Sequence, residues 1–447
     1  MRAVLYRSAW RAALLLLLHS AAVPADDFFA DIPTKGESSA VTERQRISVT
    51  GELSQTLAYG LAAPSLPTFH RDQAGVDSLS QRLRLQLTAR PNDWLSARLS
   101  GAASVEWARW DKGELGFSNN GTNLELKDAY ADAALGDEIW LRAGNQIIAW
   151  GEAEGLAITD VINPRDSIKP GQAELEDIRI QVPALYASFP SEDFFAELAL
   201  TSDAGGIKYA ARGEAFDPFI TVPKASAQFS DVPPEKYWEL IGRVSTNFNG
   251  GDLSIVAGDL NWDEISAVNL MPDSPPRIEL GQARGQVLGF SGNRAQGNWL
   301  IRYDVAQQWN KPLRSADVTQ IPWDTRDQTL YAFAAEYSGI SDWLISFELD
   351  TIQTHQHTPE LAVEKWQLGY FARARWATLN ERLVTQFVMN GLPGDDGRIT
   401  RLSLQYQWSD ALHLNTDWVL YHTRETEALL YNYRNQDLIR LRVSYFF

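Results

Sequence analysis

The chain of 447 residues has no cysteine, so neither disulfide staples nor thiolate chemistry is available to it. Basic residues are also in short supply. Forty Lys and Arg stand against 57 Asp and Glu, a formal net charge of −17. A nucleic-acid-binding surface needs a basic footprint, which sets that class of partner aside. Long apolar runs are missing as well. Only Ala12–Val23 (AALLLLLHSAAV) comes close, and it is too short for a comfortable membrane helix. No second run follows, which excludes a helical membrane protein.

That single run has the build of a secretory leader. Arg2, Arg7 and Arg11 form a basic segment ahead of it, and Val23-Pro24-Ala25 offers a small-residue cleavage site before Asp26. Residues 1–25 are therefore expected to be a cleaved signal peptide. Loss of its three arginines would take the formal charge from −17 to −20.

What the chain does have is aromatic residues: 16 Trp, 15 Tyr and 18 Phe, with a mean hydropathy of −0.27. A chain rich in aromatics, polar on average and free of long apolar runs has the composition of a transmembrane barrel. There lipid-facing and lumen-facing residues alternate, and their hydrophobicities cancel. The alternation is visible. Leu83, Leu85 and Leu87 interleave with Arg82, Arg84, Gln86 and Thr88. Trp343, Ile345, Phe347 and Leu349 interleave with Leu344, Ser346, Glu348 and Asp350. Leu402, Leu404, Tyr406 and Trp408 interleave with Arg401, Ser403, Gln405 and Gln407. Each segment is about the 9–11 residues that a tilted strand needs to cross a bilayer.

Short and long connections alternate too. Tight turns are expected at 90–93, 135–138, 190–193, 249–252, 296–298, 338–342, 379–381 and 408–411. Between them lie longer polar stretches near 60–76, 111–123, 151–178, 204–235, 267–276, 311–326, 355–364, 391–397 and 424–436. Eight hairpins plus a first and a last strand predict an all-β fold, a transmembrane antiparallel β-barrel of about 18 strands (16–18) over residues 44–447. Its short turns would be periplasmic and its long loops external. Residues 26–43 lack a clear period and read as a periplasmic lead-in or a small plug. A soluble sandwich or propeller also alternates. The asymmetry of turn lengths, the aromatic load and the last residue, Phe447, argue against it. In LIRLRVSYFF, Ile439, Leu441, Val443, Tyr445 and Phe447 share one face. This ending resembles the closing strand of bacterial outer-membrane barrels, where the terminal aromatic is an assembly signal.

Trp-Leu pairs follow tight turns at Trp94, Trp140, Trp299 and Trp343. By alternation Trp299 and Trp343 face lipid, whereas Trp94 and Trp140 fall on the polar face, so an aromatic girdle is half supported.

A barrel of this size leaves an aqueous lumen lined by the polar strand faces. The expected lining includes Arg82, Arg84, Arg98, Arg142, Arg373, Arg375, Arg440 and Arg442, with Asp128, Asp132, Glu348 and Asp350. Arg302, Glu197 and Asp304 fall on the same faces. Closure would bring the arginines of the first two strands and of the last together as a basic wall. The alternative is that these charges pair across strands in an ordinary wet lumen.

One segment leaves the alternation. In AWGEAEGLAITDVINPRD (149–166), Gly151 and Gly155 permit sharp turns and Asn163-Pro164 is a turn signal. Leu156, Ile158, Val161 and Ile162 are too apolar for a solvated loop. The stretch 151–178 is therefore expected to pack on the inner wall and narrow the pore. Its motif residues are Trp150, Gly151, Glu152, Glu154, Asp160, Asn163, Pro164 and Asp166.

Together with Gly144, Gln146, Pro170 and Gly171, this motif resembles the hallmark of a porin-like outer-membrane family of Gram-negative bacteria, catalogued as a domain of unknown function. Members are often encoded near RND-type exporters and a periplasmic lipoprotein-like protein. The resemblance implies an outer-membrane channel or export component, with the bilayer and lipopolysaccharide, the barrel-assembly machinery and such RND-linked proteins as partners. It implies no cofactor and carries over no catalytic residue.

Enzymatic readings are weaker. Glu152 and Glu154 could be paired carboxylates, but nothing nearby orients a water or a substrate, and acids facing lumen arginines are the plainer reading. Asp160, Asn163 and Asp166 carry oxygen donors for calcium, yet the spacing and the proline do not fit an EF-hand loop. His70, His355, His357 and His422 sit in loops or near external strand ends, and His413 follows a periplasmic turn. None has a serine motif beside it. No catalytic, cofactor or metal residue is assigned. Two functions remain: a channel with a mixed-charge lumen, or the outer-membrane part of an RND-linked export or lipid-handling system.

Overall fold

The structure, a computed structural model, describes residues 46–447 except 62–73, 112–113, 117–120, 137, 174–177, 203–204, 212–215, 218–227, 316–320, 396 and 424–427. The signal peptide, the 26–43 lead-in and His70 lie outside the described residues.

Eighteen long strands form the wall. The first five are β1 (Ile47–Gly60), β2 (Gly75–Ala89), β3 (Leu95–Asp111), β4 (Thr122–Leu135) and β5 (Ile139–Gln146). Next come β6 (Val182–Pro190), β7 (Phe195–Ser202), β8 (Trp238–Phe248) and β9 (Gly251–Met271). They are followed by β10 (Arg277–Gln296), β11 (Trp299–Leu313), β12 (Asp324–Tyr337), β13 (Trp343–Thr354) and β14 (Trp366–Thr378). The last four are β15 (Leu383–Gly391), β16 (Arg398–Gln407), β17 (Leu412–His422) and β18 (Leu438–Phe446). Each pairs antiparallel with the next, and β18 pairs with β1 from Glu52↔Phe446 to Gly60↔Leu438, so the sheet is closed. Phe447 extends that seam. Its backbone N–H donates to the Gly51 carbonyl at 3.0 Å, and the Gly51 N–H donates to the Phe447 carbonyl at 2.7 Å.

All eight expected tight turns are hairpins of the structure. Two are the tight pairs Asn249-Gly250 and Gly297-Asn298, whose glycines adopt φ of 88° and 61°, where a side chain would be strained. The start of β1 and the end of β18 lie on the tight-turn side, and the long connections leave the strands on the other. No helix is long and apolar enough to cross a membrane; the strands provide the crossing.

The two faces of the wall invert the soluble pattern. Outside, Leu85, Phe333, Phe347, Leu349 and Leu441 are exposed, while inside Ser346, Glu348 and Asp350 are at most 2% exposed. An apolar exterior around a hydrogen-bonded, closed sheet is the solution a bilayer demands. Near the tight-turn end Trp299 packs on Tyr337 at 4.6 Å and Trp343 stacks on Trp376 at 5.5 Å. Trp94 and Trp140 carry the inner parity of their strands. In β4 the period slips: Leu124 and Leu126 are exposed, yet Asp128, Tyr130 and Asp132 point inward. A bulge opposite Ser100 absorbs the change of register.

The apolar packing that a soluble protein would place between layers lies inside the barrel. Ile148, Trp150, Ile158 and Ile162 pack on Val182, Ala199, Ile241, Val256, Leu260 and Val287. A second cluster joins Phe216, Leu430 and Tyr433 to Ile399, Val419 and Tyr421.

The outward assignment has a direct test. Arginine at Leu349, exposed in mid-strand β13, should cost about 2–4 kcal/mol if that site faces hydrocarbon. Urea titration in lipid vesicles should show the loss for Leu349→Arg, with little change for Leu349→Phe.

Candidate functional site

The sheet releases the chain earlier than the alternation indicates. β5 ends at Gln146, so the connection runs over 147–181 rather than 151–178. The cause is Asn163. Its carboxamide oxygen accepts from the Ile148 N–H at 2.7 Å, while its Nδ2 donates to the carbonyls of Gln146 at 3.2 Å and Ile180 at 2.7 Å. One buried side chain thus ties both stems of the loop, replacing strand ladder bonds that the departing chain gives up. Gly151 then turns the chain at φ 101°.

Beyond the turn, the loop lies on the inner faces of β10 to β14. Asp304 Oδ2 on β11 accepts the backbone N–H groups of Glu152 and Ala153 at 3.0 and 2.9 Å. Glu348 on β13 accepts those of Glu154 and Gly155 at 3.0 and 2.8 Å. The loop's amides have no ladder to join, and two wall carboxylates satisfy four of them. Gly155 permits the approach: a Cβ there would meet Asp350 Oδ2 at 2.6 Å and Phe371 Cβ at 3.0 Å.

Side chains add an ionic clasp. Glu154 pairs with Arg302 at 2.6 Å and with Arg373 at 2.7 Å, and Arg373 also reaches Glu336 at 3.1 Å. Thr159 bonds Ser291 at 2.8 Å. Trp150 donates its indole N–H to Glu197 at 3.0 Å, a carboxylate that also accepts from Tyr186 at 2.6 Å and Arg243 at 3.2 Å. Glu152 differs from Glu154. It accepts from Asn293 at 3.3 Å, but burial and the nearby Asp252 raise its pKa above the usual carboxylate range.

Farther along, Asp160 pairs with Arg179 at 2.9 Å and stands 3.6 Å from Arg165. Burial pushes the Arg165 guanidinium down, with Asp160 opposing it. Asp166 accepts from the Ile168 N–H at 3.0 Å. Pro164 offers its carbonyl to the Ile180 N–H at 2.7 Å. The loop then reaches the seam side, where the Tyr421 hydroxyl donates to the Pro170 carbonyl at 2.7 Å and Arg440 donates to the Gln172 carbonyl. The segment therefore crosses from the β10–β14 wall to β17 and β18.

All twelve residues read as lumen lining lie on the inner face, but in different settings. Arg82 pairs with Glu125 at 3.1 Å and Arg142 with Asp132 at 2.6 Å. Arg98 and Arg142 flank the Tyr130 ring at 5.8 and 4.2 Å. Asp128 accepts from Ser100 at 3.1 Å. Arg440 pairs with Asp417 at 2.6 Å, and Arg373 belongs to the clasp. Arg84, Arg375 and Arg442 are half-buried on the same face. Glu348 and Asp350 are covered by the loop.

Three groups escaped the sequence reading. Asp304 was visible as an inner-face acid, but nothing in the sequence says that its partner is a loop amide. Arg165 and Arg179, the partners of Asp160, looked like ordinary loop charges. The connection expected near 204–235 looked like one more long loop. In fact Lys208–Tyr209 pairs in parallel with Asp166–Ser167, and Phe216 packs on Tyr421 at 5.4 Å and Tyr433 at 5.2 Å. Among the described residues no group of three or more His, Asp or Glu is arranged to hold a metal ion.

Residues 114–362 match the model of a family described as "Protein of unknown function (DUF1302)". Among solved structures, the chain is similar to Acinetobacter baumannii OccAB3, with a TM-score of 0.50 and 11% identity over 89% of this chain and 99% of that one. It is similar in the same degree to Pseudomonas aeruginosa OccK8 (OprE), with a TM-score of 0.50 and 11% identity over 89% and 98%. At such identity the likeness shows the fold alone: a closed 18-strand antiparallel barrel like those of outer-membrane porins. No curated protein matches the chain.

Loop docking can be probed at two points. Glu154→Gln leaves Arg302 and Arg373 without their shared anion and should weaken docking by roughly 1–3 kcal/mol. Gly155→Ala should have a similar effect through steric conflict alone. In both variants limited proteolysis of the folded barrel should cut within 152–166 faster than in the wild type.

Proposed function

This chain belongs to the DUF1302 family, and from that premise we propose that it is an outer-membrane channel whose mixed-charge aqueous lumen is narrowed by the inward-folded loop 147–181. The observation that carries the reading is the four-amide docking of residues 152–155 on Asp304 and Glu348, inside a closed barrel. A loop meant only for external contact would not need buried acceptors on the inner wall. Unsatisfied backbone amides are costly there, so the wall acids and the loop fit one another as parts of a built constriction.

The rest of the molecule agrees with a conduit. The outer face is suited to lipid, and the inner face carries charged side chains that remain partly accessible on the seam side, such as Arg82 and Arg142. Charged rings at a narrow point select solutes by local field as well as by size. In this reading the leader 1–25 directs export and Phe447 marks the chain for the barrel-assembly machinery. The bilayer and lipopolysaccharide surround the barrel. Segment 26–43 and the tight turns face the periplasm, where a lipoprotein-like or RND-type partner would dock. No step of bond chemistry is assigned to Glu152, Glu154 or the histidines.

Planar-bilayer recording is the test. The purified barrel should give stable single-channel steps, and deletion of 152–166 should raise unit conductance about two- to fivefold, because the narrowest section controls the resistance of a water-filled pore. Electrical silence in both proteins, with recovery of periplasmic proteins bound to the barrel, would instead support an export or lipid-handling component.

A further inference from the structure

The chain is acidic as a whole, yet its acids and bases are unevenly placed within the lumen. On the wall beneath the loop the carboxylates are enclosed. Asp304, Glu348 and Asp350 are at most 2% exposed, and Glu197 is 8% exposed. Asp304 and Glu348 hold loop amides, and Glu197 holds Trp150, Tyr186 and Arg243. A passing solute does not meet them.

The opposite wall is open by comparison. The side chains of Arg82 and Arg142 are 38% and 34% exposed, and Arg84 and Arg98 are half-buried rather than enclosed; Arg375, on β14 of the loop-bearing wall, is likewise half-buried. Asp132 and Glu125 offset Arg142 and Arg82, but Arg98 and Arg375 have no ion pair among the described residues. Tyr130 between Arg98 and Arg142 holds two guanidinium groups side by side on one ring. Arg98 and Arg142 follow tight turns and Arg375 precedes one, each by a few residues. Glu348 pairs with Phe371, four positions before Arg375 on β14, so Arg375 lies nearer the tight turns than the docked loop tip.

We propose that the docked loop acts as a charge mask: by covering the acidic wall it leaves a lumen in which arginines dominate, so the channel passes small anionic solutes in preference to cations. This rests on the channel reading above and adds the class of solute. Fields in a low-dielectric pore fall off slowly, so uncovering or removing a few charges at the constriction changes selectivity strongly. The same loop thereby sets both the width of the pore and its sign.

The experiment is reversal-potential measurement on the full barrel in planar bilayers, under gradients of potassium chloride and of potassium acetate. The wild type should pass either anion over potassium by roughly two- to fivefold. Arg98→Gln/Arg375→Gln should bring the ratio close to one while the heat-modifiable gel shift stays unchanged. Deletion of 152–166 should turn the preference towards potassium, and adding Asp304→Asn and Glu348→Gln to the deletion should restore the anion preference. That last arm separates charge from width. A conducting wild-type pore with no preference, or one for potassium, overturns the mask while leaving the channel reading standing. An unchanged ratio in the deletion also overturns it. Absence of conductance overturns both.

Discussion

Everything in this molecule depends on the obligation to pair backbone hydrogen-bonding groups where no water is at hand. In the wall that obligation is met by closure. The last strand returns to the first, and the terminal residue itself bonds Gly51 at both its N–H and its carbonyl. An open edge at the same place would leave a row of unpaired amides facing hydrocarbon. Because the closing pair β18–β1 is antiparallel like the rest, the strand count is even, and the start of β1 and the end of β18 lie on one side.

Inside the barrel the same obligation takes a different form. The segment 147–181 has left the sheet, so its amides need other acceptors. The wall supplies them as side chains: Asn163 at the stems, Asp304 and Glu348 at the tip. Carboxylates are suited to this role because each oxygen can accept more than one N–H, and charge-assisted bonds are stronger than neutral ones. Their use has an electrostatic consequence. Three acids on β11 and β13 are brought close together, and Arg302 and Arg373 stand beside them with Glu154 between. Loop, acids and arginines form one network, in which no member has its full set of partners without the others.

The barrel could be read from the sequence because its two determinants are local. Alternation within Arg82–Thr88 or Trp343–Asp350 gives facing, and turn chemistry such as Asn249-Gly250 gives the hairpins. Departure of 149–166 from that alternation marked it as unlike a strand. Its partners are another matter. Glu154 and Arg373 lie more than two hundred positions apart, and their meeting depends on how the loop crosses a lumen that no local pattern describes. The parallel pairing of Lys208–Tyr209 with Asp166–Ser167 escaped for the same reason: two loops on neighbouring strand pairs join into a small sheet of their own. Even the strand end at Gln146 is a tertiary effect, since the Asn163 side chain takes the Gln146 carbonyl and the Ile148 N–H that a longer strand would have paired.

The arginines show why inner-face parity alone does not define a lining. Arg440, Arg373 and Arg142 share a parity, yet each does a different job. Arg440 is bound to Asp417 and to a loop carbonyl, so it anchors the crossing segment. Arg373 lies in the clasp with Glu154 and Glu336. Arg142 is held by Asp132 and the Tyr130 ring but remains a third exposed. A charge with two or more fixed partners contributes to architecture, because its field is largely cancelled at close range. A charge that keeps solvent contact contributes to the potential that a solute meets. In the proposed channel the basic lining is therefore not the whole seam but the subset of inner arginines that the loop leaves uncovered.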